Sequence, residues 1–227
     1  MKIGILAAMD KEVGLLLPLM NDMCQIEIDS VKAYVGKIAN HDVCVMKCGI
    51  GKVNSALNAF RMINGFHPDL IINSGVAGGA DASMKVGSIL VATEAAYHDV
   101  WCGPGTKWGQ IDGMPDRFPM DKAVIENCRK SDASDVCYGL ICSGDRFISK
   151  EEEVDFIKQV YPDALACDME SASIAHACAV CGVPFAVVRV VSDTPGQADN
   201  ISQYKNFWIE APEKTFKSVK SIIENLE

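Results

Sequence analysis

Between Ala164 and Asp193 the chain runs through an apolar segment into Asp168-Met169-Glu170, then small residues from Ser171 to Cys181, then Gly182-Val183-Pro184. A second apolar segment follows and ends at Ser192-Asp193. This reads as strand, sharp turn, helix, strand, which commits the chain to an α/β sheet. It also leaves acidic side chains where strands end. In open α/β sheets the loops at the carboxyl edge line the ligand crevice, so Glu170 and Asp193 are the first candidate site residues. A plainer explanation is local: Glu170 favours a helix start, where free N–H groups attract negative charge, and Asp193 opens a turn before Pro195. That explanation serves either carboxylate alone better than it serves both together.

A length of 227 residues suits one domain, spanning 1–227. The net charge of −9, with no basic cluster, argues against a nucleic-acid partner, because backbone phosphates are bound by Lys and Arg that displace counterions. The apolar run after Met1-Lys2 stops at Asp10-Lys11-Glu12 with no signal-peptide pattern. No run reaches the length of a membrane span. The expectation is a cytoplasmic protein with no membrane partner. Its ten cysteines are scattered, mostly in apolar runs, where thiols behave as small hydrophobes. Cys178 and Cys181 form the one CxxC, with His176 nearby, but no second pair completes a tetrahedral site. Neither metal nor cofactor is expected.

Earlier in the chain, Lys2 to Ala8 reads as a strand, and Asp10 as the cap of a helix with Val13, Leu16, Leu17 and Met20 on one face. Pro18 bends or ends that helix. Glu12 then falls in a first helical turn at a strand exit, a third carboxylate in the same kind of place. Residues 24–28, 32–38 and 42–47 read as short antiparallel strands. Gly49-Ile50-Gly51-Lys52 opens a helix carrying Val53, Ala56, Leu57, Phe60 and Ile63. It is not a triphosphate loop, since Val53 stands where Ser or Thr would bind magnesium and the upstream glycine is missing. Asp69 to Asn73 reads as a strand that exits into Ser74-Gly75-Val76-Ala77-Gly78-Gly79, which lacks the dinucleotide fingerprint.

The Gly- and Pro-rich segment from Val100 to Pro119 carries Trp101, Trp108 and Phe118 and reads as a lid or subunit contact. His98 at its entrance is more simply structural than catalytic. Val136 to Ser143 reads as a strand, and Ser149 with Glu152 as a capping box for the helix that carries Val154, Ile157 and Val160. Phe207 and Trp208 precede a closing amphipathic helix with Phe216, Val219, Ile222, Ile223 and Leu226 inward.

Six blocks carry a resemblance when taken together: Ala7-Ala8-Met9 with Glu12, Gly49-Ile50-Gly51-Lys52-Val53, Asn73 to Gly79, Ser143-Gly144-Asp145-Arg146-Phe147-Ile148, Asp168-Met169-Glu170 and Arg189-Val190-Val191-Ser192-Asp193. In this order, over nearly the whole chain, they resemble the 5'-methylthioadenosine/S-adenosylhomocysteine nucleosidase family. The resemblance implies an α/β nucleoside phosphorylase-like fold, a mixed twisted central sheet flanked by helices, and a homodimer. It implies an adenine nucleoside substrate, with Glu12 activating the attacking water, Asp193 protonating adenine and Glu170 holding the ribose hydroxyls. Met169 is then expected on the sugar or base face, and Phe147 and Ile148 against adenine. Met9, Ile50 and Phe207 are expected around the thioether, and Val76 and Ser192 as further substrate contacts. The Val100–Pro115 loop is expected to reach in from the second subunit.

The chemistry suits those assignments. Cleaving an N-glycosidic bond leaves positive charge on the sugar and negative charge on the base, so it needs an acid at the base and a water activator at the anomeric carbon. Asp193 can be that acid only if its pKa is raised, while Glu12 must act ionised. The chain departs from the family pattern at Val76, commonly Ser, and at Asp168, commonly Glu. The nearest alternative is a phosphorylase of the same fold. Its phosphate arginine is expected near Asn73, and Asp10 and Glu12 would repel a phosphate dianion. A non-catalytic nucleoside-binding protein on this fold could dispense with Glu12 or Asp193, and both are present.

Overall fold

The computed structural model describes residues 1–130, 136–210 and 219–226. Strand β1 (Lys2–Ala7) is buried on both faces, as befits a parallel strand covered on two sides. Helix α1 (Asp10–Leu16) follows at once, and Pro18 sits in the 3-10 turn Leu17–Leu19 that ends it. Strands β2 (Asn21–Ile28), β3 (Val31–Ile38) and β4 (His41–Lys47) form an antiparallel meander, and β4 then pairs in parallel with β1. Next come α2 (Lys52–Phe66), β5 (Leu70–Gly79), β6 (Ile89–Tyr97) and the two-residue β7 (Phe118–Pro119). The chain continues through α3 (Lys122–Lys130), β8 (Val136–Ser143), α4 (Glu151–Val160) and β9 (Ala164–Asp168). It then forms α5 (Ser171–Cys181), β10 (Phe185–Asp193) and α6 (Asn200–Glu210).

The strands make one mixed sheet in the order β10-β6-β8-β9-β5-β1-β4-β3-β2, with β7 on β6. Because β10 also pairs in parallel with β5, the strands β5, β10, β6, β8 and β9 close on themselves, and the rest extends from β5. Alternation along the buried strands feeds two cores. Leu6, Ile71 and Val187 pack on one face, and their chain neighbours Ile5, Ile72 and Val188 pack on the other. Burying each such side chain contributes about 1.5–3 kcal/mol. Among the described residues no helix is long and apolar enough to cross a membrane.

Several local features differ from the sequence expectations. Strand β5 does not end at Asn73. It runs on to Gly79, because both neighbours supply partners there: Val190 and Val191 of β10 face Val76 and Ala77, and Cys167 of β9 faces Gly78. Asp10 is the first residue of α1 rather than its cap, which is Met9. The cap of α4 is Lys150, one residue later than expected, with Glu153 accepting the Ser149 and Lys150 N–H groups at 3.0 and 3.1 Å. Phe207 and Trp208, which precede the closing helical residues as expected, lie within a helix of their own, α6. Residues 219–224 are helical, with Val219, Ile222, Ile223 and Leu226 buried, while Phe216 lies outside the described residues.

Candidate active site

Parallel pairing of β1, β5 and β10 brings their carboxyl ends to one edge, and the acidic side chains meet there. Glu12 sits in the first turn of α1 and is fully buried. One carboxylate oxygen accepts the Met9 N–H at 2.9 Å, reaching back to the start of its own helix. The other accepts the Val76 N–H at 3.1 Å. Burial raises its pKa from the ordinary glutamate value, and the Arg189 charge and the N–H groups of Val76, Met9 and Ala8 oppose the rise. Such a group is a better proton acceptor than an exposed carboxylate when ionised.

Beside it lies Arg189, 1% exposed in the middle of β10. Its Nη2 donates to Asp168 at 2.7 Å, to Asn73 Oδ1 at 2.7 Å and, at 3.4 Å, to Glu170. Its Nη1 donates to the Val76 carbonyl at 3.3 Å. Gly75 makes this crowding possible, because a Cβ there would stand 2.2 Å from Arg189 Nη1 and 2.6 Å from Glu12 Oε1. Asp168 is anchored further by the Ser143 hydroxyl at 2.5 Å and by the Ser171 hydroxyl. Glu170 precedes α5 and accepts the Gly51 N–H at 3.0 Å. Gly51 has φ +89°, a conformation glycine adopts at little cost. Burial and then the Asp168 charge raise the Glu170 pKa against Arg189 and the Gly51 N–H.

Asp193 ends β10 just after a register shift between Val191 and Asp193, the kind of irregularity that re-aims a side chain. The Ser192 hydroxyl donates to one of its oxygens at 2.6 Å, and the Asn200 amide donates to the other. Burial raises the Asp193 pKa, and these two hydrogen bonds oppose the rise.

Glu12, Glu170 and Asp193 line one cavity of about 640 Å³, mouth included, together with Met9, Ile50, Val76, Phe147, Ile148, Met169 and Ser192. Phe207 is not among the lining residues. It is 3% exposed and packs on Val76 and Val190, behind the wall that Val76 forms. Tyr204, one turn earlier on α6, lines the cavity instead, with its ring 5.6 Å from that of Phe147. His98 is buried outside this lining. Arg189, Asp168 and Asn200 were not singled out as site residues. A charged residue inside the apolar run Phe185 to Val191 was the available signal for Arg189, since arginine is almost never fully buried unless paired.

A strand-edge cavity holding separate buried carboxylates on this sheet defines a member of the phosphorylase superfamily, whose family model matches residues 2–224. The 5'-methylthioadenosine/S-adenosylhomocysteine nucleosidase of Actinobacillus succinogenes is 38% identical, with 100% of each chain covered. The protein of that name from Geobacillus sp. (strain WCH70) is 33% identical, again over 100% of both chains. The S-adenosylhomocysteine nucleosidase of Streptococcus pyogenes, solved with 5-methylthiotubericidin, superposes with a TM-score of 0.95 at 34% identity, covering 100% of this chain and 98% of that one. Within the superfamily, the chain belongs to the 5'-methylthioadenosine/S-adenosylhomocysteine nucleosidase family.

Proposed function

We propose that the chain hydrolyses the N-glycosidic bond of 5'-methylthioadenosine and S-adenosylhomocysteine, releasing adenine and the 5-thio-substituted ribose. The observation that carries this reading is the pair Glu12 and Asp193, two buried carboxyls with raised pKa values lining one cavity. Glu12, ionised, takes a proton from water as its oxygen bonds to the anomeric carbon. The bond to adenine breaks, and Asp193, whose pKa burial raises, gives its proton to the departing base. Glu170 accepts hydrogen bonds from the ribose hydroxyls. Phe147 and Ile148 hold adenine, Met169 packs on the sugar or base face, and Met9 and Ile50 pack on the thioether, with Val76 and Ser192 completing the contacts.

Water suits this site better than phosphate. The buried cation, Arg189, is already engaged by Asp168 and Glu170, and Asn73 spends its side chain on Leu6, Ser171 and Arg189. Among the described residues, a phosphate dianion at the anomeric carbon would meet Glu12 and Glu170 with no free buried positive charge to neutralise it. The test is to incubate the protein with 5'-methylthioadenosine, with and without phosphate, and identify the sugar product. Phosphate-independent methylthioribose supports hydrolysis. Methylthioribose 1-phosphate formed only with phosphate means a phosphorylase, and no adenine at all means a binding protein or another nucleoside.

The reading includes a homodimer. Helix α2 begins at the site and exposes Val53 (69%), Leu57 (53%) and Phe60 (55%) beside Val180 of α5 (69%). These residues line one apolar groove with Val100 and Ile111. An apolar patch of this kind marks an interface, and a second copy seated there lets the Val100–Pro115 loop approach the partner's cavity. Sedimentation at micromolar concentration should give twice the chain mass. Ten free cysteines agree with a reducing cytoplasmic setting.

A further inference from the structure

The first turn of α1 points Glu12 into the cavity and Lys11 outward against α6. The Lys11 ammonium lies 3.6 Å from the Trp208 ring centroid and 4.9 Å from that of Tyr204. It is also 3.4 Å from the Tyr204 hydroxyl, which in turn sits 3.7 Å from Met9 Sδ. Met9 and Tyr204 line the cavity, so one hydroxyl separates this cation from the sulfur on which the substrate thioether is placed. Two aromatic faces hold the charge in position, which lowers the entropy cost of using it to bind.

Four other cations on the elements around the cavity already face carboxylates. Arg189 faces Asp168 and Glu170, Arg146 faces Glu153, Lys52 faces Asp99 and Lys47 faces Asp10. Among the described residues, no carboxylate lies within ion-pair distance of Lys11. Desolvation lowers its pKa from the ordinary lysine value, against the Glu12 charge, and an arriving carboxylate would oppose that shift.

We propose that Lys11 is a specificity-determining residue that binds the carboxylate of a 5'-thio substituent, so that the site favours S-adenosylhomocysteine over 5'-methylthioadenosine. This rests on the reading of the site given above. The methyl group of 5'-methylthioadenosine ends at Met9 and Ile50. The homocysteinyl tail continues past Met9, and its few single bonds carry the carboxylate toward the Tyr204 hydroxyl and the Lys11 ammonium. Without a local cation, a chain of net charge −9 with carboxylates in its cavity repels the carboxylate of that zwitterionic tail.

The test compares wild type, Lys11→Met and Lys11→Arg on both substrates and on the methyl ester of S-adenosylhomocysteine, at low and physiological salt. Lys11→Met should raise the KM for S-adenosylhomocysteine about two- to fivefold relative to the KM for 5'-methylthioadenosine, as a partly exposed ion pair warrants. Lys11→Arg should keep the wild-type ratio, the ester should not respond to Lys11→Met, and salt should narrow the gap. An unchanged KM ratio overturns the proposal. Equal rises for both substrates do so too, since they would make Lys11 only a clamp on α6, as does an ester that loses as much as the acid. Wild type inactive on both nucleosides would instead overturn the reading of the site on which the proposal rests.

Discussion

Replacing Asp193 by Asn exchanges an acidic O–H for a non-acidic amide of nearly the same shape, so it separates the chemistry of that group from its packing. The Ser192 hydroxyl can still donate to the retained oxygen, as it does now at 2.6 Å. On the other side the new amide N–H₂ would face the Asn200 amide that donates there now. A half-turn of Asn200 resolves the clash by presenting its Oδ1, which is buried without a partner in the native arrangement. The hydrogen-bond cost to the fold is therefore no more than about 1 kcal/mol. Loss of a general acid costs about 10²- to 10⁴-fold in rate, or roughly 3 to 5 kcal/mol of barrier.

Stability should move the opposite way at high pH. The Asp193 pKa is raised in the folded state, so its contribution to stability is complete below the unfolded value and is lost as pH rises through the folded one. The amide has nothing to lose over that window. Adenine release measured under saturating substrate, together with thermal unfolding of both proteins from pH 4 to 8, tests the argument. The variant should be nearly inactive yet gain on wild type in Tm as pH rises. Turnover within tenfold of wild type refutes the acid role, and a Tm difference that does not change with pH refutes the burial argument.

Asp193→Asn should also remove the alkaline fall of kcat, while the acid limb, set by ionisation of Glu12, persists; a pH–rate profile from 4.5 to 9 shows both. In Glu12→Gln, kcat should fall about 10²- to 10⁴-fold with substrate affinity largely kept, as isothermal titration with a non-hydrolysable analogue would report. Arg189→Met strands Asp168 and Glu170 without their cation, and urea unfolding should show a loss of about 3–5 kcal/mol. Gly75→Ala forces a Cβ against Arg189 and Glu12, so activity should drop at least tenfold with the fold retained by circular dichroism. Phe60→Asp puts a charge into the apolar groove, and sedimentation should show a monomer with reduced turnover.

The sequence made visible those parts of the site that obey a local rule. Glu12, Glu170 and Asp193 were legible because each carboxylate follows an apolar run, and in an α/β chain the ends of such runs converge. What escaped depends on pairing across the sheet, which has no short-range signature. The strand β5 runs on through its glycines because β9 and β10 flank them, and no residue between Ser74 and Gly79 announces those neighbours. Phe207 was placed in the cavity and Tyr204 was not, because an apolar spacing shows that a helix face is buried without showing what it is buried against. Val76 stands between Phe207 and the cavity. Arg189 is a different case. Its charge inside a buried strand breaks the pattern, and a buried guanidinium must find acidic partners. A search for the acids that could satisfy Arg189 leads from the sequence to Asp168 and Glu170 as one cluster, because those two sit together at the exit of the preceding strand.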